Sequence, residues 1–107
     1  MTTSATDIGR AGEAAVVAYL KAKGYRITSW DTRGPGATDI EATGTRATLL
    51  VQVKTAVRPS QPSVLSSPEL QALKSRAARK RAQAWEARVT LDRSLRPIGQ
   101  PAWRKLN

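Results

Sequence analysis

Residues 37–54 read Ala37-Thr38-Asp39-Ile40-Glu41-Ala42-Thr43-Gly44-Thr45-Arg46-Ala47-Thr48-Leu49-Leu50-Val51-Gln52-Val53-Lys54, and their alternation decides what the rest of the chain must do. Two strand-like arms, 37–43 and 46–54, flank Gly44, and the second is the most strand-like segment present. In a strand, period two puts Ile40 and Ala42 on one face with Leu49, Val51 and Val53 across the hairpin. Asp39, Glu41, Gln52 and Lys54 then project together from the other face. This hairpin is expected at the centre of the sheet.

Outward from it, Tyr25 to Trp30 alternates as an earlier strand, with Tyr25, Ile27 and Ser29 on one side and Arg26, Thr28 and Trp30 on the other. Gly34-Pro35-Gly36 breaks it and turns the chain sharply before Asp39. Upstream, an amphipathic helix is expected to start near Thr6 and Asp7 and to run to about Lys23, with Gly24 closing it. Its stripe is Ile8, Ala11, Ala15, Ala18 or Tyr19, and Ala22, widened by Val16 and Leu20, with Glu13 on the flank beside Leu20. Residues 1–6 are expected to be disordered.

Downstream, residues 55–66 hold two prolines and no periodicity, which predicts a mobile loop. Ser67-Pro68-Glu69 supplies a capping serine, a first-turn proline and an acidic residue for a second helix that is expected to bury Leu70, Leu73 and Ala77. Trp85 to Leu91 alternates as another strand, and 96–104, interrupted by Pro97, Gly99 and Pro101, suits a last strand at a sheet edge. The expected fold is α/β, an α-β-β-β-α-β core in which a central mixed sheet is flanked by helices. At 107 residues it is expected to form one domain over 1–107.

Composition narrows the chemistry. With no cysteine and no histidine, the usual zinc sites, thiol nucleophiles and histidine bases are excluded. Catalysis would have to use carboxylates, lysine, hydroxyls and a hard metal ion. The absence of Phe and the wealth of Ala predict a thin core that gains from a partner, so a homodimer is expected. No stretch approaches the roughly 20 apolar residues of a membrane span, and no secretory apolar region opens the chain, so a cytoplasmic protein without membrane contact is expected.

The formal net charge is +10, and residues 67–107 carry 10 basic and 3 acidic side chains. An excess of that size attracts polyanions, and nucleic acid is the natural partner. Lys74, Arg76, Arg79, Lys80 and Arg81 crowd the second helix, and with Arg10 and Arg33 they are the candidate phosphate contacts. A solvated basic face is the alternative reading of that run. Trp30, Trp85 and Trp103 are expected to fill the core or a dimer seam rather than to stack on bases.

The polar face of the hairpin admits two readings. Asp39, Glu41 and Lys54 could form an ordinary cross-strand ion pair on a solvated surface. Alternatively, carboxylate and amide oxygens could bind Mg²⁺ (or Mn²⁺) for phosphodiester hydrolysis, with Lys54 orienting the attacking water or neutralising the phosphate.

Gly9-Arg10-Ala11-Gly12-Glu13, Tyr19-Leu20, Lys23-Gly24-Tyr25, Thr38-Asp39-Ile40-Glu41 and Val51-Gln52-Val53-Lys54-Thr55 together resemble the core of the PD-(D/E)xK nuclease superfamily. The closest likeness is to archaeal-type Holliday junction resolvases and related small bacterial endonuclease-like proteins. It covers residues 9–55 and implies a restriction-endonuclease-like fold. By that resemblance Glu13 is the first-helix acid that helps hold metal, Asp39 the central metal ligand and Lys54 the catalytic lysine. The family's second acid falls on Gln52, a Q-x-K ending also found in methyl-directed restriction endonuclease relatives. Gln52 offers a carbonyl oxygen but no charge, a loss for which Glu41 could compensate. The resulting expectation is a Mg²⁺-dependent DNA endonuclease, for which the resemblance implies branched or otherwise structured DNA as the substrate class. The alternatives are a DNA-binding or assembly protein on a nuclease-derived fold, and an RNA- or ribosome-associated basic domain.

Overall fold

The computed structural model describes residues 4–30 and 40–107, and of Asp39 the backbone alone. Arg33 and the Gly34-Pro35-Gly36 turn therefore lie outside the described residues. The elements are α1 (Ala5–Ala22), β1 (Arg26–Trp30), β2 (Asp39–Thr43), β3 (Thr48–Val57), α2 (Ser67–Lys80), β4 (Gln83–Leu91) and β5 (Ala102–Lys105).

The five strands form one mixed sheet in sequence order. Only β3 and β4 are parallel, because α2 carries the chain back across the sheet between them. The expected hairpin is β2–β3, with Asp39 opposite Gln52, Ile40 opposite Val51 and Ala42 opposite Leu49. β3 continues to Val57, so the first three residues of the expected loop at 55–66 are strand. They extend the ladder with β4, where Thr55 pairs with Val89 and Val57 with Leu91. β5, after its prolines, pairs with β4 alone and forms an edge.

α1 and α2 cover opposite faces. On the first, Val16, Val17 and Leu20 pack with Ile40, Ala42, Leu49, Val51, Ala87, Val89 and Leu91. On the second, Leu73 and Ala77 pack with Leu50, Leu65, Ala82 and Ala84. Fully burying one such aliphatic side chain contributes about 1.5–3 kcal/mol. This alternation along β3 is the hairpin pattern made physical: odd positions meet α1 and even positions meet α2.

α1 differs from its expected form in two respects. Ser4, whose hydroxyl accepts from Asp7 N, is its N-cap, so Ala5 and Thr6 are helical. The buried line is Gly12, Glu13, Val16, Val17 and Leu20, while Ala18 and Ala22 are exposed. The stripe is rotated because Gly12, which has no side chain to reveal it, is the closest approach to the sheet: a Cβ there would overlap Thr55 Oγ1. Gly24 follows the C-cap with φ +94, the left-handed conformation expected of it. α2 is capped by Ser66 rather than Ser67, and Ser66 and Glu69 form a reciprocal capping box.

β1 also departs from simple alternation. A bulge between Ile27 and Ser29 lets Ile27 pair with Ala42 and Trp30 with Ile40, so Trp30 falls on the α1 face with Ile27. Trp85 and Trp103 meet edge to face with ring centroids 6.1 Å apart, and Tyr19 lies 5.5 Å from Trp103. Among the described residues no helix is long and apolar enough to cross a membrane.

Candidate active site

The α2 face carries a polar row that crosses the sheet. Asp39 on β2 stands opposite Gln52 on β3, Gln52 opposite Glu86 on β4, and Glu86 opposite Arg104 on β5. The next polar position along β3 is Lys54, level with Arg88. The structure therefore brings Gln52 and Lys54 together on the α2 face, with the Asp39 strand position beside Gln52.

Gln52 is 6 % exposed and sits in the middle of this row. Its carbonyl and the neighbouring carboxylates are hard oxygen donors, the type that Mg²⁺ or Mn²⁺ takes. No three acidic side chains gather into a metal-holding group among the described residues, and the Asp39 side chain lies outside that count. The donor chemistry fits a divalent cation in a set that combines Asp39, the Gln52 oxygen and one further carboxylate.

Lys54 and Glu41 do not pair with each other, as a simple cross-strand ion pair would require. Lys54 Nζ lies 2.7 Å from Glu69 Oε2 in the first turn of α2. Glu41 Oε1 lies 2.7 Å from Lys80 Nζ in the last turn, and its Oε2 accepts from Thr28 Oγ1 at 2.8 Å. Two ion pairs of opposite sense thus stake the two ends of α2 to β3 and β2. Each holds its carboxyl below the usual glutamate range: for Glu41 the Lys80 hydrogen bond is the main cause and Thr28 the next. For Glu69 the Lys54 bond comes first and the Ser66 backbone N–H second.

Glu13 is placed differently. It is 8 % exposed rather than solvent-facing, it packs on the α1 side, and its Oε1 accepts from Trp30 Nε1 at 3.2 Å. Trp30 is the strand partner of Ile40, the residue after Asp39, so this bond draws Glu13 towards the Asp39 end of β2 from the opposite face. Among the described residues its side chain hydrogen-bonds Trp30, not Gln52 or Lys54.

Of the expected phosphate contacts, Arg10 is exposed on α1, and Arg79, Lys80 and Arg81 are exposed around the C-terminus of α2. Lys74 and Arg76 are half-buried. Lys80 is engaged by Glu41, and basic residues in a last turn also complement the helix dipole.

Two acids were not singled out for the site from sequence. Glu69, three residues after Ser66, reads only as a capping residue until the fold places it against Lys54. Glu86 is 1 % exposed and accepts from Leu65 N at 2.8 Å and from Arg104 Nε and Nη2 at 3.1 and 3.2 Å. A charged residue within an alternating strand, opposite in phase to Trp85, was its one sequence signal. Glu86 thereby ties the segment before α2 and the edge strand β5 to the central sheet.

This order of elements, with the polar row on the α2 face of a five-stranded mixed sheet, defines a restriction-endonuclease-like fold. The chain is similar to the solved structure of Hjc, a Holliday junction resolvase from the archaeal hyperthermophile Archaeoglobus fulgidus, with a TM-score of 0.60 and 24 % sequence identity. That likeness covers 92 % of this chain and 70 % of Hjc, and at this identity it establishes the fold alone. No family model matches the sequence, and no curated protein matches it.

Proposed function

We propose that the protein is a DNA endonuclease that hydrolyses phosphodiester bonds with a divalent cation, Mg²⁺ or Mn²⁺, on branched or otherwise structured duplex. The observation that carries this reading is the polar row on a restriction-endonuclease-like sheet, in which the nearly buried Gln52 stands directly across from Asp39 and two residues from Lys54. The cation, once bound, would stabilise charge developing on the phosphate and lower the pKa of an attacking water. Asp39 and the Gln52 carbonyl would hold it, and Lys54 would orient the phosphate or the water. The basic side chains of α2, with Arg10 and Arg33, would position the DNA backbone without reading its sequence. The fold likeness to a Holliday junction resolvase supports branched DNA as the substrate class.

One observation favours a second reading. Lys54 is already neutralised by Glu69 and Lys80 by Glu41, an arrangement that would also suit a DNA-binding protein on a nuclease-derived fold. Supercoiled plasmid and a synthetic four-way junction, each incubated with Mg²⁺, Mn²⁺ or EDTA, separate the two. Metal-dependent cutting by the wild type and its loss in Asp39→Ala are expected. Binding of both DNAs with no cutting under either metal would remove the catalytic reading and leave the binding one.

A further inference from the structure

α2 begins level with Lys54: its first turn is tied there through Glu69, and the segment before it is tied to Glu86 through Leu65 N. β3 and β4 run on past that level to Val57 and Leu91, the C-terminal ends of the one parallel pair. A groove of about 450 Å³ opens at this end. Arg88 and Thr90, on the same face of β4 as Glu86, line it between two walls. Arg58 to Pro62, just after β3, form one wall, and Ile98, Gln100 and Ala102, leading into β5, form the other. The carboxyl ends of parallel strands are where open α/β sheets bind ligands.

The charge of this groove is one-sided. Arg88 Nε lies 3.9 Å from Glu86 Oε1, but that carboxylate is already engaged by Arg104 at 3.1 and 3.2 Å and by Leu65 N at 2.8 Å. Asp92, which shares the neighbouring cavity with Arg58, accepts from the backbone N–H groups of Ser94 and Arg96 through Oδ1. Glu69 is taken by Lys54. Arg58 is exposed and the Arg88 side chain is 40 % exposed. Two guanidiniums at one opening repel each other, and a phosphate offsets that repulsion while matching their planar forks. The Thr90 hydroxyl and the Gln100 amide add neutral hydrogen-bonding groups to the same lining.

Distance also favours this groove over the basic run of α2. Arg88 is the ladder partner of Lys54, about 5 Å away between strands. Arg79, Lys80 and Arg81 lie about 15–18 Å along the helix from Glu69, the residue that meets Lys54.

We propose, building on the nuclease reading above, that this groove is a phosphate subsite for DNA. Arg58 and Arg88 hold a backbone phosphodiester next to the one at Lys54, so the strand to be cut passes over the C-terminal ends of β3 and β4. Both arginines position the strand without reading its bases.

The test is binding of the full chain to a fluorescent four-way junction and to a linear duplex in EDTA, followed by anisotropy across a salt series. Arg58→Gln and Arg88→Gln are each expected to weaken binding about 10-fold. Each should also lower the slope of log K against log salt by about 0.9. Arg46→Gln removes an equal charge from the exposed turn before the other end of β3, and screening should keep its effect below about 2-fold. With Mg²⁺ or Mn²⁺ present, the groove variants should raise KM about 10-fold with kcat little changed. Should Arg88→Gln lower the melting temperature, Arg58→Gln, at an exposed position after the strand, decides the matter alone. Wild-type affinity and salt slope in Arg58→Gln, or equal losses in Arg46→Gln, would overturn the subsite. If the groove variants lose binding while the wild type cuts no DNA under either metal, the nuclease reading falls and the phosphate subsite stands.

Discussion

Arg104→Met is expected to destabilise the protein more than Glu86→Gln, although both break the same ion pair. Glu86 is 1 % exposed, whereas the Arg104 side chain is 52 % exposed. Removing Arg104 therefore leaves a carboxylate under α2 with one backbone donor, Leu65 N, and with Arg88 Nε at a distant 3.9 Å. An uncompensated buried charge typically costs 3–5 kcal/mol, and those two remaining groups reduce this to about 2–4 kcal/mol. Glu86→Gln removes the buried charge, keeps a carbonyl for Leu65 N and leaves Arg104 hydrated, at a cost of about 1 kcal/mol. The double variant should resemble Glu86→Gln, giving a coupling of about 2–4 kcal/mol in magnitude. Urea unfolding followed by tryptophan fluorescence measures all three, and thermal midpoints should fall by about 4–8 °C per kcal/mol. Equal losses in the two single variants, or additivity in the double, would refute the view that Glu86 is a buried anchor dependent on Arg104.

Gly12→Ala should destabilise by about 1–2 kcal/mol despite the better helix propensity of Ala, because the new Cβ lies 2.7 Å from Thr55 Cγ2 and 2.8 Å from Thr55 Cβ. Thr55→Gly in the same chain should recover part of the loss, and a raised melting temperature in Gly12→Ala would contradict the close packing of α1 on β3. Acid should loosen α2: Glu41 and Glu69 have folded-state values below their ordinary value of 4.5, so their contribution is present above about pH 4.5 and is lost as pH falls through the lowered values. A urea-midpoint series against pH should show that decline, and the Glu41→Gln, Glu69→Gln double variant should start lower and titrate more shallowly; an unchanged slope would show that other carboxylates govern acid stability.

The hairpin made the sheet legible because each of its strands has one face against a core, so a slip of one residue would have buried Asp39 and Glu41 among aliphatic side chains. Ile40, Ala42, Leu49 and Val51 could pair in one register only, and they do. Legibility failed where periodicity is broken locally. The bulge at Thr28 reversed the phase of Trp30, and Gly12 concealed the buried line of α1 by lacking a side chain. The strand reading also ended too early at Lys54, since Thr55, Ala56 and Val57 pair with β4 residues more than 30 positions away, a contact that no local window contains.

The candidate site was legible as a set of strand positions but not as a set of partners, and the difference lies in α2. From sequence, Asp39, Glu41, Gln52 and Lys54 form one group because period two aligns them. In the fold, α2 lies across that face, its first turn at Lys54 and its last at Glu41, and it divides the group. Charge pairing across a helix–sheet interface depends on where the helix starts, and that start is set by Ser66 and Glu69 rather than by Ser67. A one-residue shift turns a helix by about 100°, enough to carry the acid of the first turn away from the sheet. The capping box therefore does more than end a loop: by fixing the phase of α2 it determines which acid Lys54 meets.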